Sequence, residues 1–156
     1  MHGNRIFGFA STRVPAAPGG RVLKLERPFW YEVDVAGLAP GDTLNGNVVT
    51  QANRPFLWVA SRWMAYPGAN ANTNNTQPIP DVLATLYLQN EPLMSVPVAL
   101  SAIAGPPMGE PQPLVEPFWI DGSTTIKAVL ENAEASTGDT YTIRLILIGF
   151  QAKEGG

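Results

Sequence analysis

The sequence contains no cysteine and a single histidine, His2, beside the first methionine. A disulfide scaffold is therefore excluded. A histidine-built metal site and a cysteine or histidine-activated nucleophile have no residues to draw on. Charge is sparse as well: Asp, Glu, Lys and Arg make up 15% of the chain, against roughly 25% in ordinary soluble domains. No apolar run reaches the ~18 residues of a membrane-spanning helix. The N-terminus has no continuous apolar core of the secretory kind, so the expectation is a protein made and used without export and without a membrane partner. No phosphate-binding loop is present, since "APGG" (17–20) lacks the following Lys and Ser/Thr.

What is abundant is turn chemistry. Glycine and proline contribute 15 residues each to a chain of 156, a length that suits one domain or one domain with an arm. Charge is distributed unevenly. Residues 1–27 hold Arg5, Arg13, Arg21, Lys24 and Arg27 against Glu26, whereas the rest is acidic. Pro15, Pro18, Gly19 and Gly20 break helix or long strand in that stretch. We read 1–27 as an extended basic N-terminal arm and 28–156 as the folded domain. Ile6, Phe7, Phe9 and Val14 are more apolar than a solvated tail needs, which predicts an arm that packs on protein. Five scattered cations ahead of an acidic body argue against nucleic acid.

From Pro28 onward the periodicity is that of strands. Segments 29–35, 43–50, 54–66, 81–89, 94–103, 114–120, 123–132 and 141–150 are expected as eight strands, with Pro97 and Pro117 marking edges or bulges. The segment 123–132 is ambiguous, because Ile126, Val129, Leu130 and Ala133 also fit a helix; it is assigned as a strand. The resulting class is all-β, an antiparallel β-sandwich, with an eight-stranded jelly roll expected and an immunoglobulin-like sandwich as the runner-up. The last strand, "YTIRLILIGF" (141–150), is apolar on both faces in its second half. Ile146, Ile148 and Phe150 therefore need cover from the arm, a partner, or a long loop such as 104–113.

Candidate chemistry is thin. Glu32 and Asp34 share one strand face and could form a glycosidase pair, although acids on a solvent face usually serve solubility. Trp30, Trp63 and Tyr66 are candidates for a sugar-binding platform. Trp58 and Trp63 lie five apart, so on a regular strand they point to opposite faces and at least one is core. No catalytic residue, metal or cofactor is assigned.

The arm "NRIFGFASTRVPAAPGGRVLK", the strand "PFWYEVDVAGLAPGDTL", the neutral loop "NANTNNTQ" and the closing strand "YTIRLILIGFQ" together resemble small structural proteins of tailed bacteriophages. The likeness is to capsid decoration or cement proteins of β-sandwich fold. That resemblance implies a non-enzymatic virion protein, made in the host cytoplasm. Its partners would be the major capsid protein or other virion proteins, and it would act as a homo-dimer or trimer. The expected protein contacts are Arg5, Phe7, Phe9, Arg13, Arg21, Ile146, Ile148 and Phe150. The alternatives are a lectin-like carbohydrate-binding jelly roll and a head-fibre or tail-associated protein.

Overall fold

The computed structural model describes residues 16–68, 80–135 and 139–154. After a short 3-10 turn at Pro18–Gly20 come β1 (Leu23–Leu38), β2 (Thr43–Val49), β3 (Phe56–Pro67) and β4 (Val82–Leu88). They are followed by β5 (Glu91–Pro92), β6 (Val98–Ala99), α1 (Leu100–Ala104), β7 (Gln112–Ile120), β8 (Thr125–Asn132) and β9 (Tyr141–Glu154). Two antiparallel sheets face each other, in the orders β1-β9-β3-β7 and β2-β8-β4-β5, with β6 also paired to β4. Chain neighbours in β1–β4 alternate between the sheets. The early strands pair with the late ones: β1 with β9, β2 with β8, β3 with β7, and β4 with β5 and β6.

Alternation along each strand fills the space between the sheets. From the first sheet come Tyr31, Val33 and Val35, Phe56, Trp58 and Trp63, and Tyr141, Ile143, Leu145 and Leu147. Val82, Ala84 and Leu86 meet them from β4, and Ile126, Ala128 and Leu130 from β8. In β8 burial alternates residue by residue through to Asn132, so period two decides the segment whose spacing also fitted a helix. The edges flagged by proline are edges: β7 ends the first sheet and the β5–β6 strip borders the second.

Three sequence expectations are corrected. Among the described residues there are nine strand segments rather than eight: β5 lies between two expected strands, and within 94–103 only Val98–Ala99 is strand. Pro97 lacks an N–H to donate, and pairing resumes only at β6 before the short helix α1, which buries Leu100 and Ala104. The strand β1 begins at Leu23, inside the stretch assigned to the arm, and pairs there with the end of β9. Trp58 and Trp63 are both buried in the same core. The reason is a bulge: Trp58 pairs with Gly149 and Ala60 with Ile148, leaving Val59 as an extra residue. One inserted residue turns an odd spacing into an even one, so both rings point inward.

The same bulge explains Gly149. A Cβ there would lie 1.8 Å from the Leu57 carbonyl oxygen and 2.9 Å from the Phe56 ring. Gly46 does the equivalent where the two sheets meet, its missing Cβ falling 2.4 Å from the Asp34 carbonyl oxygen. Gly149→Ala is expected to cost at least ~3 kcal/mol, since backbone must move to admit the methyl group. Urea denaturation of the variant measures this, and an unchanged midpoint would mean that β3 and β9 are not this close.

Candidate functional site

The outer face of the first sheet carries a second apolar cluster. Leu57, Val59, Ala60 and Ile148 are buried there, with Leu25, Trp119, Ile146 and Phe150 packed against them. The register lines up Trp119, Leu57, Phe150 and Pro28 across all four strands. Ile146, Ile148 and Phe150 thus find apolar neighbours on their own sheet, and Ile148 is only 8% exposed. Arg5, Phe7, Phe9 and Arg13 lie outside the described residues, as does most of the 67–80 loop. Arg21 is ion-paired with Asp121, the residue that follows β7.

The proposed aromatic platform does not come together. Trp63 is fully buried, and its Nε1–H donates to the Gly105 carbonyl at 2.6 Å. Trp30 is 61% exposed on the row of Ile148, beside Arg27, Pro28 and Phe29. Tyr66 sits on the row of Thr142, six positions away along β9, which is about 20 Å at ~3.3 Å per residue. Glu32 is exposed on a flat sheet face and approaches the Arg144 Nε at 3.7 Å, while the Arg144 guanidinium lies over the Tyr66 ring. Glu32 and Asp34 therefore stand on an open surface rather than in a cleft. Among the described residues no three His, Cys, Asp or Glu side chains gather as a metal site, and no helix is long and apolar enough to cross a membrane.

A groove that the sequence reading did not single out lies along the other long side. Between Phe118, which pairs with Trp58, and Pro113, which pairs with Ala60, residues 114–117 leave the ladder with β3. The edge strand swings away and opens a groove of about 400 Å³ between the sheets, walled by Trp58, Leu86, Met94, Ile103, Leu114 and Phe118. Val115 is fully exposed at its mouth, Phe118 is 43% exposed, and Leu93, Val96 and Met108 are also exposed. The prolines at 97 and 117 were the available signal for this side, but they mark an edge without saying what stands beside it. A charge signal also exists: no Lys or Arg occurs between Trp63 and Ile126, while Asp81, Glu91, Glu110, Glu116 and Asp121 do. Such an arrangement can dock an apolar, uncharged or basic segment; it offers no acid–base pair.

At one end of the sandwich a polar knot replaces apolar packing. Asn132 is fully buried and donates from Nδ2 to the carbonyls of Leu38 and Asp139, both at 3.0 Å. The Tyr141 hydroxyl donates to Glu134 Oε1 at 3.2 Å. Burial first, and then the adjacent Glu134 carboxylate, push the Tyr141 hydroxyl up to about 12. Because the folded value exceeds the unfolded value of 10, this group's contribution is complete below pH 10 and is lost as pH rises toward 12. Tyr141→Phe should cost about 1 kcal/mol at neutral pH and flatten the fall in stability over that window. Melting curves at stepped alkaline pH check it; an undiminished fall would place its origin elsewhere.

No protein-family model and no curated protein matches this chain. Among solved structures, the dimeric latent PorU of Porphyromonas gingivalis is similar at 10% identity and a TM-score of 0.38, over 91% of this chain. The chain spans 14% of the length of that protein.

Proposed function

We propose that the sandwich is a jelly roll and that the chain is a non-enzymatic structural protein of a tailed-bacteriophage virion. In this reading it docks on capsid subunits as a decoration or cement protein. The winding supports the fold assignment. The first four strands pair in turn with the returning ones, and β5 and β6 together occupy the position of one strand. Such folded-over double sheets recur in viral capsid and lectin domains. The observation that carries the docking role is the apolar open side, where Val115, Phe118 and Leu93 stand exposed around a groove. Apolar side chains gathered on one rim mark contact surfaces, and the depletion of charge fits an interface core.

A second reading, carbohydrate binding, is favoured by one feature, the exposed Trp30 beside Arg27 and Phe29. Aromatic faces serve both sugar and protein contacts.

The two separate in one experiment on particles of the phage that encodes the chain. Quantitative mass spectrometry of purified virions is expected to find a fixed number of copies per particle. Particles stripped of the chain should rebind it, and the paired substitution Val115→Ser with Phe118→Ser should weaken rebinding at least tenfold, about 1.4 kcal/mol. Both side chains are exposed, so thermal melting of that variant should be unchanged. Absence of the chain from virions, with glycan-array binding abolished by Trp30→Ala, would overturn the virion reading in favour of the lectin one.

A further inference from the structure

The two long sides of the sandwich are unequal. On one, β1 and β2 pass so closely that Gly46 must lack a side chain. On the other, β7 ends its sheet, and residues 114–117 lie off the β3 ladder beside an apolar groove. An edge strand presents a row of backbone donors and acceptors to whatever lies beside it. Extended segments dock on such edges by adding a strand and sinking alternate side chains into pockets.

We propose that this groove receives residues 5–14 of a second copy of the chain, so that two copies exchange arms reciprocally. The proposal rests on the docking reading above and names its first partner. Charge complementarity is the first argument. The side that borders the groove belongs to a stretch with acids and no base from Trp63 to Ile126, whereas residues 1–25 contain bases and no acid. Arg5 and Arg13 bracket Ile6, Phe7 and Phe9, a spacing of apolar groups with cations at both ends. Glu116 lines the groove, and Glu110 precedes β7 by two residues.

Chain direction is the second argument. The ion pair between Arg21 and Asp121 places the root of the arm at the C-terminal end of β7. With ~3.3 Å per extended residue, fifteen residues can span up to ~50 Å, more than the roughly 30 Å covered by the nine residues of β7. Folded back onto its own β7, the segment would run toward Arg21 in the same direction as that strand, and so parallel to it. Every pairing in the described sheets is antiparallel, and parallel ladders are slightly weaker per residue. A segment arriving from a second copy related by a two-fold axis can lie antiparallel, and such an exchange closes on itself as a symmetric dimer.

The absence of cysteine gives a clean test with the full chain. The variants Phe9→Cys and Val115→Cys are mixed in equal amounts and treated with a short bismaleimide linker. The expected product is a mixed dimer, formed at least tenfold faster than between Phe9→Cys and Glu32→Cys, whose second site lies on the outer sheet face. Light scattering on the unmodified chain should show a dimer. The double variant Arg5→Glu with Arg13→Glu should dissociate it at least tenfold more readily, and added salt should weaken the unmodified dimer. Rapid intrachain linkage within a dilute double variant, Phe9→Cys with Val115→Cys, would overturn exchange in favour of self-docking. A monomer at all concentrations would overturn it as well. If that monomer still rebinds virions through Val115 and Phe118, the docking reading stands without the exchange; loss of virion binding alone would remove the reading beneath it.

Discussion

The second half of β9 is apolar on both faces, and much of the architecture follows from covering it. The strand lies between β1 and β3, so its backbone is paired along both edges. Its inner face, from Tyr141 to Leu147, meets the second sheet, while Ile146, Ile148 and Phe150 meet apolar side chains of their own sheet. This double use requires β3 to approach very closely where Gly149 faces the bulge at Val59. The bulge in turn directs both Trp58 and Trp63 into the core. With Trp63 buried, its indole N–H needs an acceptor, and it finds one in the Gly105 carbonyl. The α1 helix and the turn after it are thereby tied against β3, on the side where the groove opens.

The two ends and the two sides of the sandwich are managed by different physics. One end is held by a polar knot around Asn132, Glu134 and Tyr141. The other is held by Tyr31, Gln51 and Gln151, the Tyr31 hydroxyl accepting from the Gln51 N–H at 2.9 Å and Gln151 donating to Gln51 at 2.8 Å. One long side is sealed by backbone contact at Gly46. The remaining side keeps Val115, Phe118 and Leu93 in solvent, and burial of such groups against a partner is worth ~25 cal/mol per Å² before ordering costs.

Strand identity was largely legible, because alternation survives wherever one face is core: Val82, Ala84 and Leu86 in β4, or Tyr31, Val33 and Val35 in β1. The doubly apolar end of β9 was legible too, as a demand for cover. Its answer was not, because Leu25, Leu57 and Trp119 come from strands far apart in the chain. The aromatic platform failed for a similar reason. Trp63 and Tyr66 are three residues apart in sequence, yet one faces the core and the other the outer surface, and Trp30 stands several residue rows away.

The amino-acid sequence by itself determined the all-β class, the edge character around Pro97 and Pro117, the basic start and the base-free stretch from Trp63 to Ile126. These are properties of composition and of local steric rules, which need no partner to act. Only the tertiary structure decided the strand order, the inward turn of both Trp58 and Trp63, and the opening of the groove beside β7. Strand order depends on which distant strands pair, and the other two on residues inserted in, or left out of, the ladders of β3 with β9 and β7. A shift of one position there redirects every side chain beyond it.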